Sequence, residues 1–266
     1  MVRAETAPAP KTQGIAASLL NGFAVLEAFS IAEPELGVTE IAERVGLHKS
    51  TVSRILHGMS ESRYVSRDPD SGKYRLGMGL ISLAGPLLAN LNVRQVAHEP
   101  LQQATEQTKE TSALSVFNGR FPVVVEQIDS PQFVKHTQYI GTRYNRWASS
   151  SFQMSMANLA PETVRDVLAS GEIHGAPPVE SDADWESVLA HLRAVRAANV
   201  SINDGETNPE EFGVSAPVRD YDGVMQGVVT MSAPHMRAVG EHRQLIIDTV
   251  IETAALISHR LGYVPG

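Results

Sequence analysis

Apolar residues in the first third of the chain recur at helical spacing in three short blocks, separated by residues that favour turns. In SLLNGFAVLEAF, Leu19, Phe23 and Leu26 mark a helix over 18–29, which IAEPELG ends with its Pro and Gly. Val38, Ile41, Ala42 and Val45 fall at i, i+3, i+4 and i+7, which predicts a shorter second helix. Thr39 is its candidate N-cap, and Glu40 sits favourably near the positive helix start. Gly46 tolerates positive φ and so permits a tight reversal into KSTVSRILHGMSES. There Val52, Ile55, Leu56 and Met59 form one apolar stripe, while Ser50, Ser53, Arg54 and His57 take the same spacing on the opposite side. One face packs and the other stays free. YVSRDPDSGKYRLG then reads as a β-hairpin, with a strand around Val65, an Asp-Pro-Asp-Ser-Gly turn and a strand through Tyr74 and Leu76. Helix, turn, helix and hairpin together make a winged helix-turn-helix.

Beyond the hairpin, apolar positions 80, 83, 84, 87, 88 and 91 form a stripe suited to helix-on-helix packing, with Pro86 inviting a kink. It reads as a linker helix and dimer seam. VRQVAHEPLQQATEQTKET is a further amphipathic helix, followed by β-rich SALSVFN and FPVVVEQI around a turn at Asn118-Gly119. The rest predicts a helix after Pro161, another over Asp184 to Ala198, strands at Val214–Arg219 and Met225–Ser232 around DYDG, and a last helix from Val239 to Leu261. The fold class is α+β. The expected organisation is a flexible tail over 1–13, a winged helix-turn-helix over 14–77, a linker helix over 78–91, and an effector-binding and oligomerisation domain over 92–266.

Composition changes this picture in three places. The formal net charge of −8 seems to argue against nucleic acid, yet from Arg44 to Arg75 seven basic residues face three acidic ones, a local +4. The absence of cysteine removes disulfides, thiolate nucleophiles and Cys-ligated metals. No apolar run approaches the ~18 residues of a membrane span, and the Ala-, Pro- and Thr-rich first residues lack a secretory signal's apolar core. A cytoplasmic location without membrane contact is expected.

The helix-turn-helix carries the most specific chemistry. Its second helix offers short hydroxyl donors (Ser50, Thr51, Ser53), longer cations (Lys49, Arg54) and His57, with Arg67, Lys73 and Arg75 on the wing. Such groups reach phosphates and base edges in a major groove of double-stranded operator DNA. A three-helix protein-interaction module with a solvated polar face is the bland alternative, and the basic wing weighs against it.

LLNGFAVLEAF, TEIAERVGLHKSTVSRIL and the YVSRDPDSGKYRLG wing together resemble the IclR family of bacterial transcriptional regulators. GTRYNRWASSSFQMSMA resembles that family's effector-loop and helix segment, and VSAPVRDYDGVMQGVVTMSAP its paired terminal strands. The resemblance implies a GAF-like effector-binding domain, a small-molecule effector, and homodimers or dimers of dimers on paired half-sites. By position it implies an effector pocket of Trp147, Ala148, Ser149 and Met154 on one side, Asn203 and Glu206 on a loop, and Gly213, Thr230 and Ser232 on strands. Phe152-Gln153 stands where the family commonly has Gly-Lys, Trp147 where His is frequent and Gly213 where Cys often occurs. The ligand expected from these residues is an aromatic or mixed apolar-polar metabolite, such as an organic acid. Against this, Trp and Met at helical spacing usually fill a core, and a strand-end Ser often bonds backbone. Arg143 and Arg146 can neutralise an anionic effector, but loop arginines are more often solvated, and they stay outside the assigned set.

Catalytic signatures are missing: there is no G-x-S-x-G turn, Walker loop, H-E-x-x-H or G-x-G-x-x-G. Nine histidines are scattered without ligand spacing, and DADWE and DPDSG fit a helix start and a turn better than calcium loops. No enzyme activity, metal or cofactor is expected. A ligand-independent DNA-binding oligomer, or an enzyme fused to a winged helix, is the alternative function. The effector's identity, the operator, and activation versus repression stay open.

Overall fold

The computed structural model describes residues 12–137 and 139–264. The chain divides into two compact units, Met1–Asn90 and Leu91–Gly266. The tail read over 1–13 lies outside the described residues as far as position 11, and positions 12 and 13 already belong to a helix.

In the first unit, α1 (Thr12–Glu27), α2 (Val38–Val45) and α3 (Lys49–Glu61) gather Val25, Ile41, Val52 and Leu56 into a fully buried core. The N-cap of α2 is Gly37, and Thr39 lies inside the first turn. A glycine has no side chain to cap with, so the bond runs the other way: the Glu40 carboxylate accepts the Gly37 N–H at 2.6 Å. That bond, then the charge of Lys73, holds the Glu40 carboxyl below its ordinary range. Gly46 closes α2 in the left-handed region at φ 67°.

The wing is a three-stranded antiparallel sheet of β1 (Glu35–Leu36), β2 (Val65–Arg67) and β3 (Tyr74–Leu76), in the order β1-β3-β2. β1 is too short to show any alternation in sequence, yet it pairs Leu36, which is buried, with Tyr74. Asp68 organises the β2–β3 turn by accepting the Ser71 N–H (2.7 Å), the Ser71 hydroxyl (2.9 Å) and the Asp70 N–H (3.0 Å). Where the hairpin leaves the sheet, a Cβ on Gly77 would stand 2.3 Å from the Arg63 carbonyl oxygen, so only glycine fits. α4 (Gly79–Asn90) completes this unit, with Pro86 inside it and Ile81, Leu83 and Leu87 exposed.

The second unit is built on one antiparallel sheet. Its strands are β4 (Thr111–Phe117), β5 (Pro122–Ile128), β6 (Ser201–Asp204), β7 (Glu211–Arg219) and β8 (Met225–Pro234), in the order β5-β4-β8-β7-β6. α5 (Asn92–Thr108) and α9 (Gly240–Arg260) join Phe212, Val214, Ala216 and Val218 of β7 and Val229, Met231 and Ala233 of β8 in one apolar core. The alternate residues, Gly213 and Ser215 of β7 with Thr230 and Ser232 of β8, turn to the other face. There α6 (Ser150–Met156), α7 (Pro161–Ala169) and α8 (Asp182–Ala198) build a second core around Phe152, Met154 and Trp185. Ser181 and Asp184 cap α8 reciprocally, so DADWE is a helix start. β6 replaces the expected loop: Ile202 and Asn203 pair with Val214 and Gly213.

A hydroxyl-lined strip joins α6 to the sheet. Ser150 and Ser215 share a hydrogen bond of 2.9 Å, Ser215 and Thr230 another of 2.9 Å, and Ser115 and Ser151 one of 2.8 Å. All five side chains are buried, so each bond offsets a desolvation cost that an unpaired hydroxyl would carry.

Candidate functional site

The exposed face of α3 is built by its buried one. Val52 and Leu56 are anchored in the core, and the 3.6-residue period then leaves Lys49, Ser50, Ser53, Arg54 and His57 in solvent, with Thr51 half-buried at the edge. His48 caps the helix: its Nδ1 lies 2.8 Å from the Ser50 hydroxyl and accepts the Ser50 N–H at 3.3 Å. Ser50 is thereby partly committed to the helix start. The side chains of Lys49 and Arg54 form no ion pair among the described residues. His57 stands 3.6 Å from Glu61, one turn along, with both side chains largely in water.

The wing cations are more engaged. Arg67 donates to the Gly72 carbonyl at 3.3 Å and lies over the Tyr74 ring at 5.7 Å. Lys73 is 3.5 Å from Glu40 of α2. Arg75 donates to the Ser66 hydroxyl at 3.1 Å and stands 3.9 Å from Glu35. These contacts brace the wing against α2 and β1. Arg44 is spent on structure as well, bonding the Ala28 carbonyl and Glu33 at 2.7 Å each. Among the described residues Lys49, Arg54, Arg63 and Arg67 have no ion pair, and of these Lys49 and Arg54 lie on the exposed face of α3.

The second unit carries a cleft of about 520 Å³ on the polar side of its sheet, lined by Arg143, Asn145, Arg146, Ser149, His136 and Glu211 among others. Arg146 is aimed by one hydrogen bond from Nη1 to the Thr207 carbonyl (3.1 Å) and has no carboxylate partner among the described residues. The Arg143 guanidinium lies 5.5 Å from the centre of the Phe121 ring. Opposite in charge is Glu211, whose Oε2 accepts the Thr207 hydroxyl at 3.0 Å and whose Oε1 is 3.4 Å from His136 Nε2. Tyr144 also lines the cleft; its phenol oxygen is buried without a well-formed hydrogen bond. Burial, then the Glu211 carboxylate, push that phenol above its ordinary pKa, and the Thr230 hydroxyl pulls slightly the other way.

Of the nine residues expected to hold an effector, Ser149 alone lines this cleft. Met154 is fully buried in the core under α6, where its size fills space between helices. Trp147 packs edge-on to Phe152 (6.2 Å between centroids) and against His191 (5.8 Å), and Ala148 beside it is half-buried. Asn203 is on a strand, and its side-chain oxygen accepts the N–H groups of Glu206 (3.0 Å) and Thr207 (3.1 Å). Glu206 bonds the Asp204 N–H from an exposed turn. Thr230 is closed into the hydroxyl strip, and Gly213 and Ser232 are paired neighbours buried inside the sheet. Asn203 and Thr230 are thus engaged with neighbouring groups, while Glu206 stays exposed.

Comparison with known proteins gives this geometry its context. The family described as Bacterial transcriptional regulator IclR C-terminal matches residues 86–259, and the IclR helix-turn-helix domain matches residues 18–69. The chain belongs to the IclR family. It is 27% identical over 246 residues to the HTH-type transcriptional regulator KdgR of Dickeya chrysanthemi, spanning 92% of this chain and 80% of that one. It is 29% identical over 257 residues to the DNA-binding transcriptional repressor YiaJ of Escherichia coli K12, spanning 92% and 88%. An IclR homologue of Microbacterium hydrocarbonoxydans, solved in complex with 4-hydroxybenzoate, superimposes with a TM-score of 0.73 at 25% identity, covering 92% of this chain and 98% of the other. The chain is accordingly a DNA-binding transcriptional regulator, and no helix among the described residues is long and apolar enough to cross a membrane.

Arg143 and Arg146, left outside the expected effector set, line the cleft, and His136 and Glu211, which the sequence did not single out, line it with them. Two of them sit in GTRYNRW, where a pair of arginines three apart in a segment without helical or strand period was a signal in itself. His136 and Glu211 carry no such mark, because 74 residues of intervening chain must fold before they meet.

Proposed function

We propose that this regulator binds operator DNA through the α3 face, with Lys49 and Arg54 as its principal contacts, and that a small organic acid held in the Arg146 cleft changes its operator affinity. The single observation that carries the reading is the pairing of cations without acidic partners at both sites: Lys49 and Arg54 on an exposed helix face, and Arg146 in a cleft. The 4-hydroxybenzoate bound to the Microbacterium homologue supports an organic acid as effector. A differential affinity giving a coupling of ~1 to 3 kcal/mol would change operator binding roughly 5- to 150-fold. Catalysis has no place in this reading, since the cleft gathers no nucleophile activated by a base, and the relatives are named regulators.

The working form is a homodimer. α1 leaves Leu19, Leu20 and Phe23 in solvent and α4 leaves Ile81, Leu83 and Leu87, all more than half exposed. Apolar surface of that extent in one small unit favours a partner, and a second copy supplies the two recognition helices that paired half-sites need. Mobility-shift titration of the DNA flanking its own coding region, with and without organic acids, tests the proposal. Retained affinity in Arg54→Ala and Lys49→Ala would sink the α3 assignment.

A further inference from the structure

Resting on the reading of the Arg146 cleft as the effector site, we infer that its ligand is a hydroxylated aliphatic monocarboxylate, an acid of the aldonic type, and not an aromatic acid. The first ground is the lining. Tyr144 carries a ring at the cleft, but that side chain is only 9% exposed and offers little face for stacking. Trp147 is half-buried and packs edge-on to Phe152 of the core, and Phe121 lies beneath the Arg143 guanidinium. The aromatic rings in the lining are the His136 imidazole, held against Glu211, and this covered Tyr144, so an aromatic acid has no open carbocyclic face to stack on.

The second ground is a count of hydrogen-bonding capacity. A guanidinium has five N–H donors, and Arg146 commits one of them, to the Thr207 carbonyl, leaving a fork that matches a carboxylate. Glu211 is acceptor-only when ionised and has about four lone-pair sites. Thr207 and His136 occupy two of them, one on each oxygen, so the remaining sites point to O–H donors on the ligand. The Asn145 side chain, with both donor and acceptor character, lines the same space. Hydroxyls along an aliphatic chain supply both.

The third ground is charge. Arg146 and Arg143 bring positive charge to the cleft, and Glu211 supplies the anionic group. A second carboxylate on the ligand would meet Glu211 as a like charge, so a diacid is disfavoured. A neutral polyol would leave the Arg146 fork unpaired.

Calorimetric titration of the full chain tests this with defined probes: aldonates from glycerate to gluconate, glucarate as the matching diacid, glucose as the neutral polyol, and 4-hydroxybenzoate. At least one aldonate binds saturably, and glucarate, glucose and 4-hydroxybenzoate bind about tenfold or more weakly. Arg146→Gln weakens the aldonate roughly 10- to 100-fold, the loss of one charge-assisted hydrogen bond. Arg120→Gln, which removes an exposed arginine paired with Glu172 elsewhere in the unit, leaves it unchanged. Tighter binding of 4-hydroxybenzoate or glucarate that Arg146→Gln abolishes would overturn the ligand class and keep the cleft. Aldonate binding indifferent to Arg146→Gln would overturn the cleft itself. Failure of every aldonate would overturn the inference outright.

Discussion

Arg237→Met should destabilise the effector unit through a buried carboxylate. Glu110, at the junction of α5 and β4, is 1% exposed. Arg237 grips both its oxygens, Nε to Oε1 at 2.7 Å and Nη2 to Oε2 at 2.6 Å, and His242 of α9 adds a contact of 3.2 Å. The same guanidinium donates to the Val134 carbonyl at 2.6 Å, two residues before His136 of the cleft. Methionine keeps the aliphatic stem and removes the charge, leaving an anion desolvated with one weaker neighbour. Breaking one side of a buried pair costs about 3–5 kcal/mol. Arg237 is itself 27% exposed, so water can partly replace it, and the lower end, about 3 kcal/mol, applies. For a unit of this size that is roughly 6 to 12 °C in melting temperature. Urea unfolding with a probe in the second unit measures it, and Glu110→Gln combined with Arg237→Met should recover most of the loss, because no buried charge is then left alone. A cost below about 0.5 kcal/mol, or a double variant worse than the single, would refute the argument. Titration of the same variant with the effector reads the second consequence, weaker binding through release of the Val134 segment.

Other expectations follow from the same geometry. Arg54→Ala or Lys49→Ala lowers operator affinity and, where the lost contact is a phosphate, reduces the slope of log K against log salt by about 1; mobility shifts over a salt series decide this. Gly77→Ala forces a Cβ to within 2.3 Å of the Arg63 carbonyl oxygen, so the wing must shift and operator binding should fall while effector binding is spared. Leu87→Glu, at a position 65% exposed on α4, should move the dimer toward monomer in sedimentation and weaken binding to paired half-sites more than to one. On acidification, Asp68, Asp184 and Asp204 are each held below the ordinary 3.8 by hydrogen bonds, from Ser71, Ser181 and Arg243 in turn. Their stabilising contribution is complete at neutral pH and is lost as pH falls below 3.8 and through the lowered values. Melting temperatures from pH 6 to about 3 should fall, and less so in Asp204→Asn.

The winged helix was legible because each of its signals is local. Val52 and Leu56 mark the buried side of α3 three to four residues apart, and Asp68 and Gly72 make their turn with neighbours within the hairpin. The exceptions in that unit are contacts between segments. β1 is two residues long and exists because Leu36 meets Tyr74, and Lys73 is drawn to Glu40 across the wing. In the second unit the strands around DYDG and the helix start at DADWE were equally readable, while β6 was not, since four residues carry too little alternation to separate a strand from a loop.

Ser149 is the one expected effector residue that lines the Arg146 cleft, and the reason bears on what the cleft does. By position the resemblance pointed to Thr230 and Ser232, which with Ser215 alternate with apolar residues along β7 and β8 and so share a face. Once α6 folds over that face, Ser150 and Ser151 meet Ser215 and Ser115, and the hydroxyls satisfy one another. Near the strip, Arg146 has no carboxylate partner among the described residues, and the Tyr144 phenol has no well-formed bond. A ligand bound there can be felt beneath it, because Ser149, which lines the cleft, directly precedes Ser150, the residue that ties α6 to the sheet. Replacing Ser215 by Ala should therefore leave effector affinity near its original value, since Ser215 is not a lining residue, but reduce the effect of the ligand on operator binding. Equal losses in affinity and response would mean that the strip shapes the cleft and transmits nothing.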